Sequence, residues 1–244
     1  MCRMIAAVGG FPVSLLAEGL RAMAANANAG HEHEFTDRGA EFQHDSGWGS
    51  VFRAGGRLER LRSTAPCFRD AGYGALDAVR SDLVVIHARR AKNPRTISTV
   101  NTHPFVAGWR GGEWAFCHNG EVRDTGQLTR DPALVPEGST DSELLFFHIL
   151  TALNGGGPAE LSAILSRIRD FTCVNCLVVR PSSLLVSTRR APDSTTPRYY
   201  TMWRADGDGP DGPYVLISSE PLRDISEGWR PLDDGSSHLV TPRT

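Results

Sequence analysis

The chain has 244 residues, and 26 basic against 28 acidic side chains leave a formal charge of −2. That length is ample for a sizeable core, and the near-neutral balance carries no electrostatic footprint for nucleic acid or an anionic membrane. No apolar run approaches the roughly 20 residues of a transmembrane helix, no basic-then-apolar leader opens the chain, and an odd set of five cysteines forms no disulfide framework, so a cytoplasmic setting is expected.

The chain opens Met1-Cys2-Arg3-Met4. A small residue at position 2 suits removal of Met1, which would leave Cys2 with a free α-amino group beside its thiol. A thiol reacts as the thiolate, with an ordinary pKa of about 8.5, and an α-amine titrating at roughly 7.7 to 8.0 can take its proton. Ile5–Val8 then reads as a strand ended by Gly9-Gly10, residues 13 to 28 as a helix, and residues 47 to 53 as a strand. Leu83–His87 is a continuous apolar run of the kind found in strands covered on both faces, and Glu113–His118 is a strand stopped by Asn119-Gly120. Thr140-Asp141-Ser142-Glu143 fits a capping box at a helix start, followed by an apolar stripe at Leu145, Ile149 and Leu153. Pro158 suits the first position of a second helix, whose core face is Leu161, Ile164, Leu165 and Ile168. Strands return over 174 to 180, 183 to 189, 197 to 203 and 214 to 218, with Gly207–Pro213 as a turn. There is no internal repeat and no dividing linker, so residues 1–244 read as a single domain of mixed strands and helices.

Several residues could carry chemistry, each with a plainer alternative. Arg89, just beyond the apolar run, could grip a carboxylate with its planar fork or be a surface arginine at a strand end. Pro104 holds His103 extended in a rigid loop. Asn119-Gly120 is first a turn signal and, in a sharper reading, an oxyanion hole in which the amide of Asn119 and the N–H of Gly120 converge on developing charge. Asp141 either complements the dipole of its helix or faces a cleft and pairs with a ligand ammonium. His31-Glu32-His33 lacks the helical spacing of a zinc site and reads as a solvated loop. Cys173-Val174-Asn175-Cys176 has no second cysteine pair for zinc and runs into Leu177-Val178-Val179, so it reads as a core strand. No metal or cofactor is expected.

Together these pieces resemble a class II glutamine amidotransferase, the N-terminal-nucleophile type, and within it the single-domain branch that includes the ergothioneine-pathway γ-glutamyl hydrolase. The resemblance rests on Met1-Cys2-Arg3, Gly47-Trp48-Gly49, His87-x-Arg89, Asn101-x-His103-Pro104-Phe105, His118-Asn119-Gly120, Thr140–Glu143, and Ser218–Leu222 with Trp229, in family order along nearly the whole chain. It implies a four-layer αββα sandwich, of class α+β, and hydrolysis of a γ-glutamyl amide through a thioester on Cys2. It further implies oxyanion donors at Asn119 and Gly120, and substrate contacts from Arg89, His103 and Asp141. The implied partners are a small γ-glutamyl substrate and, if ammonia is passed on, a separate synthase chain. A catalytically silent subunit that keeps the fold is the alternative. Two departures stand out: Lys92 occupies the place of a threonine that helps close the family's substrate pocket, and Ser46 precedes Gly47 where an aspartate is common.

Overall fold

The computed structural model describes residues 2–28 and 33–242. In chain order the elements are β1 (Cys2–Gly9), α1 (Val13–Ala24), β2 (Trp48–Ala54), β3 (Arg57–Ser63), β4 (Leu83–Arg89), β5 (Phe105–Trp109), β6 (Gly112–Val122), α2 (Asp141–Ala152), α3 (Pro158–Ser166), β7 (Phe171–Arg180), β8 (Ser183–Ser187), β9 (Trp203–Gly209), β10 (Gly212–Ser218), β11 (Arg230–Pro231) and β12 (Ser237–Val240). They form two antiparallel sheets, one ordered β11-β9-β10-β1-β4-β2-β3 and the other β12-β8-β7-β6-β5.

Alternation along the strands builds the layers. Met4, Ala6, Val8, Leu83 and Val85 of the first sheet meet Ala115, Cys117, Leu177 and Val179 of the second in a buried layer between the sheets. The opposite residues, among them Ile5, Ala7, Val84 and Ile86, face α1, whose buried stripe is Val13, Leu16, Ala17, Leu20 and Met23. On the far side, Phe116, Val174, Cys176 and Val178 pack against α2 and α3 through Leu145, Phe146, Ile149, Leu161 and Leu165. The result is the expected αββα sandwich. Burying each large aliphatic side chain contributes about 1.5–3 kcal/mol, so these three layers supply most of the cohesion. Among the described residues, no helix is long and apolar enough to cross a membrane.

The strands differ from the sequence reading in instructive ways. Asn119-Gly120 is not a turn: β6 continues to Val122, with an irregularity between Gly120 and Val122. Pairing with β7 overrides the local turn preference. The helix predicted over 13–28 ends at Ala24, and Asn26 adopts a left-handed φ of 55°. Residues 197–200 form a turn, and the strand expected there begins at Trp203, because Tyr199 and Tyr200 pack in an aromatic cluster with Phe42 instead of alternating across a sheet. The predicted turn over 207–213 shrinks, since β9 runs to Gly209 and pairs with β10 from Gly212. The edge strands β3, β5 and β12 are additional to the expected strands; β3 is rich in arginine, as edge strands are when they resist further pairing. His33 is buried beside Glu220, with 3.4 Å between Nε2 and Oε1, so it is no solvated loop residue. His31, Glu32 and Met1 lie outside the described residues. Cys173 and Cys176 are buried, unpaired thiols within β7, which agrees with the core-strand reading.

Candidate active site

The layer between the sheets changes character at one end. On β4 the inward positions run Leu83, Val85, then His87 and Arg89. Antiparallel pairing sets Cys2 opposite Arg89 and Met4 opposite His87. On β6 the same face runs Ala115, Cys117, Asn119. Cys2, Arg89 and Asn119 therefore meet where the two sheets open, and all three are buried.

Cys2 is held through its backbone. Its nitrogen donates to Asn119 Oδ1 at 2.9 Å, and the Tyr199 hydroxyl donates to its carbonyl oxygen at 3.2 Å. Because the Asn119 oxygen faces a donor, its Nδ2 points elsewhere, and that nitrogen is buried without a protein partner among the described residues. A buried donor without an acceptor costs about 1–3 kcal/mol, so its retention calls for an explanation. The neighbouring Gly120 has φ of 145°, and a Cβ there would lie 1.7 Å from the Cys173 carbonyl oxygen, so only glycine fits.

Burial alone would push the Cys2 thiol up. The charge of His87 and of the chain's amino terminus, with a hydrogen bond from the His87 side chain, outweighs that and lowers it from 9.0 to about 6. The residue is thus set to be a thiolate at neutral pH.

Arg89 is anchored by Thr96: Nη1 donates to the Thr96 carbonyl at 3.2 Å and Nη2 to its hydroxyl at 3.1 Å. The same carbonyl accepts from Asn101 Nδ2 at 3.0 Å, and Asn101 Oδ1 accepts from the Ser139 N–H at 2.8 Å. Asn101 therefore ties the arginine's support to the loop that leads into α2. Asp141 opens that helix, capped by Thr140, whose hydroxyl accepts the Glu143 N–H at 3.2 Å. The Glu143 carboxylate does not complete a capping box; it accepts from the N–H groups of Glu137 and Gly138 and shapes the preceding loop. One Asp141 oxygen accepts the Val122 N–H at 2.8 Å. His118 is clamped between the Ser142 hydroxyl at 2.9 Å and the Cys173 carbonyl at 3.1 Å, which seats the strand next to Asn119.

A cavity of about 210 Å³ opens over these groups, with Cys2, Arg89, Lys92, His103, Gly120 and Asp141 in its wall. The predicted site residues thus surround one cavity, with Asn119 joined through its bond to Cys2. His103 follows the same loop as Asn101, and its carbonyl oxygen would lie 2.2 Å from a Cβ at position 49, which accounts for glycine in Gly47-Trp48-Gly49. Burial first, then the nearby charges of His87 and His118, holds the His103 imidazole well below its ordinary 6.5. Lys92 forms an ion pair with Glu121 at the cavity mouth. Ser46 is not idle: its hydroxyl accepts the Ala91 N–H at 3.1 Å and its own N–H donates to the Arg89 carbonyl at 2.9 Å, fixing the turn after β4. Among the described residues, no group of three or more histidines, cysteines or carboxylates is arranged to hold a metal.

The sequence reading missed the apparatus behind Cys2. Arg3 is fully buried, with its Nε 2.6 Å from Glu220 Oε1, its Nη1 donating to the Tyr199 carbonyl at 3.1 Å, and its guanidinium 3.9 Å from the centre of the Tyr199 ring. Ser219 exchanges backbone and side-chain hydrogen bonds with Met4 at 3.0 Å each. These contacts explain why Ser218–Leu222 belongs with the N-terminus. The signal was the charged Arg3 at the head of an apolar strand, where a buried partner is required.

Comparisons with known proteins agree with this geometry. Residues 19–172 match the family model described as "Glutamine amidotransferases class-II". Among curated relatives, the chain is 30% identical over 134 residues to the provisionally named glutamine amidotransferase YafJ of Escherichia coli strain K12, covering 52% of this chain and 51% of that one. It is 31% identical over 149 residues to the uncharacterized protein MJ1515 of Methanocaldococcus jannaschii, covering 55% and 40%. The alignments thus span about half or less of these relatives. The fold is similar to the 2.0 Å crystal structure of a predicted glutamine amidotransferase from Pseudomonas aeruginosa PA01, with TM-score 0.64, 19% identity, and 98% and 97% of the two chains covered. It is also similar to the glutamine phosphoribosylpyrophosphate amidotransferase of B. subtilis, with TM-score 0.68, 17% identity, and 98% and 47% covered. The chain belongs to the class II glutamine amidotransferase family.

Proposed function

We propose that this protein hydrolyses γ-glutamyl amides, either glutamine or a γ-glutamyl conjugate of a small metabolite, with Cys2 as an N-terminal nucleophile. One observation carries the reading: Asn119 holds the Cys2 nitrogen through Oδ1 and leaves Nδ2 as a buried donor without a partner among the described residues. In this reading that donor and the N–H of Gly120 receive the oxyanion; one such donor is worth about 2.7–4 kcal/mol of transition-state stabilisation. The Cys2 thiolate attacks the amide carbon, the carbonyl electrons move to oxygen, and collapse expels the amine, which receives its proton from the α-amino group of Cys2. Water then releases glutamate from the γ-glutamyl thioester. Arg89, fixed by Thr96, pairs with the α-carboxylate, and Asp141, whose carboxylate opens α2 at the cavity wall, pairs with the α-ammonium. His103 walls the cavity as a neutral ring.

Residues 1–244 act in this reading as a single type 2 glutamine amidotransferase domain. Five unpaired thiols suit a cytoplasmic setting, which keeps Cys2 reduced. If ammonia is the leaving group, a separate synthase chain is its destination.

The test begins with intact-mass measurement, which should find Met1 absent. The processed protein is then incubated with glutamine and a panel of γ-glutamyl amides, and glutamate release is followed with Cys2→Ala as control. Glutamate formation by the native protein alone supports the proposal. No release from any substrate, or undiminished release by Cys2→Ala, overturns it, and tight binding without turnover identifies a silent subunit.

A further inference from the structure

Tyr199 and His44 have no part in the chemistry proposed above, yet both are buried and both are joined to Cys2 by hydrogen bonds. Cys2 leads β1, and once Met1 is removed it has a covalent neighbour on one side only; such ends fray unless they are tied down. On one side Cys2 stands in register with Arg89 of β4. On the other, β10 comes into register with β1 only at Ile5, with the Ser219 N–H reaching back to the Met4 carbonyl. The Tyr199 hydroxyl serves the Cys2 carbonyl in place of a strand partner, 3.2 Å from its oxygen. A carbonyl oxygen can only accept, so the single hydroxyl proton points at Cys2. His44 Nε2 lies 2.8 Å from the same hydroxyl oxygen and must therefore donate to it. The bonds run in one direction, from His44 Nε2–H to Tyr199 Oη, and from Tyr199 O–H to the Cys2 carbonyl. Burial first, then the Arg3 charge, holds the His44 imidazole well below 6.5, and burial holds the Tyr199 phenol well above 10, so each keeps the one proton that it donates. The turn that carries Tyr199 is itself braced. The Glu34 carboxylate accepts the N–H groups of Arg198 and Tyr199 at 2.9 Å each, Arg3 donates to the Tyr199 carbonyl at 3.1 Å, and Asn175, the amide inside apolar β7, donates to the Tyr200 carbonyl at 2.7 Å. The His44 N–H donates to the carbonyl of Ala24, the last residue of α1, at 2.8 Å.

Resting on the hydrolase reading, we propose that Tyr199 and His44 are positioning residues for the nucleophile: their chain of donated hydrogen bonds sets the Cys2 carbonyl, and with it the direction in which the residue presents Sγ to the scissile carbon. Asn119 holds the nitrogen of the same residue, so Cys2 is fixed at both ends of its backbone. The Tyr199 ring cannot follow a moving Cys2, because it packs against Phe35, Phe42 and Tyr200 with 5.3, 5.5 and 5.2 Å between ring centres, and the Arg3 guanidinium lies 3.9 Å from its own centre. The effect belongs to kcat. A nucleophile displaced by about 1 Å can lose about 10²-fold in rate, while Arg89 and Asp141 still bind the substrate. Neither Tyr199 nor His44 touches the substrate in this assignment; both act through the Cys2 backbone.

The experiment is steady-state kinetics on processed protein with three variants, Y199F, H44L and the two combined. Tyr199→Phe keeps the ring beside Arg3 and removes only the donor. Its kcat should fall about tenfold with KM within about twofold of native. His44→Leu leaves the hydroxyl without the donor that polarises it, and its kcat should fall about threefold. In the combined variant kcat should equal that of Y199F, because His44 acts only through the hydroxyl. A native kcat in folded Y199F, or a loss confined to KM, overturns the assignment; so does a further loss when H44L is added to Y199F, which would show His44 acting through packing alone. If a variant does not fold, wild type decides by NMR. The Tyr199 hydroxyl proton, buried and donated, should exchange slowly with water and lie close to Cys2. A hydroxyl exchanging as fast as that of an exposed tyrosine overturns the proposal. That signal needs no substrate, so a slow hydroxyl in a protein that hydrolyses no γ-glutamyl amide would remove the hydrolase reading and leave the Tyr199 anchor standing.

Discussion

Two cysteines lie on the face between the sheets, and they behave in opposite ways. Cys117 is packed among Met4, Val85, Leu177 and Val179, and burial pushes its thiol well above 9.0. Cys2 is also buried, although it forms part of the cavity wall, yet its thiol is lowered to about 6, because the His87 charge and the amino terminus oppose the burial effect. The strands are continuous between them: two positions along β4 separate Val85 from His87, and two along β6 separate Cys117 from Asn119. The difference teaches that burial alone does not set a thiol's acidity here. The lowered thiol belongs to a polar cluster built on strands whose other half is apolar, so that the apolar half supplies packing and the polar half supplies charge.

The largest expected effect breaks the contrast outright. Cys2→Ala should lower hydrolysis by about 10⁴-fold or more, as loss of a nucleophile does, whereas Cys117→Ala should change glutamate release little and appear only in thermal melts. Next, Asn119→Ala should cost about 10²–10³ in kcat with a smaller change in KM, since in the proposed mechanism the missing donor acts on the oxyanion; steady-state kinetics would contradict the assignment if only KM moved. Glu220→Gln tests the support behind Cys2. Removing the partner of buried Arg3 should destabilise the fold by about 3–5 kcal/mol, measured by urea unfolding at pH 7. Burial would raise the Glu220 carboxyl, but the Arg3 charge and hydrogen bonds from His33 and Asn28 hold it below its ordinary 4.5. Its folded pKa is thus depressed, so its stabilisation is complete above about pH 4.5 and disappears as pH falls further. The variant should lack that acid limb. The smallest effect sharpens the picture of the cavity: Arg89→Lys keeps the charge but loses the guanidinium's bonds to Thr96 and, in the proposed reading, its planar grip on the substrate carboxylate. It should raise KM about tenfold with kcat near native, in line with roughly 1.5 kcal/mol for one charge-assisted hydrogen bond.

Much of the fold was legible because its core strands are apolar without interruption. Leu83–Ile86 and Leu177–Val179 announced central strands, and the Thr140 cap and Pro158 announced the helices. β3 was not legible, since its two leucines, Leu58 and Leu61, are three residues apart among charged side chains and break the two-residue period of a strand. Asn119-Gly120 misled for a physical reason: the pair favours a turn in isolation, and only the neighbouring β7 holds it extended. Lys92 was marked as a departure, but its ion pair with Glu121 depends on an irregularity of β6 that no local pattern announces.

What the residues alone determined was chemical inventory: a thiol next to the chain's start, an arginine after a buried strand, an amide beside a glycine, and a carboxylate at a helix N-terminus. These are properties of side chains and of short-range spacing. The tertiary structure decided which of them share one cavity, and that Asn119 turns its oxygen toward the Cys2 nitrogen. Such relations arise from strand pairing between residues more than 80 positions apart, such as Cys2 with Arg89. Local preference carries no information about which distant partner will satisfy a buried polar group, and the low-dielectric contacts that set the site's charges exist only once the sheets have closed over it.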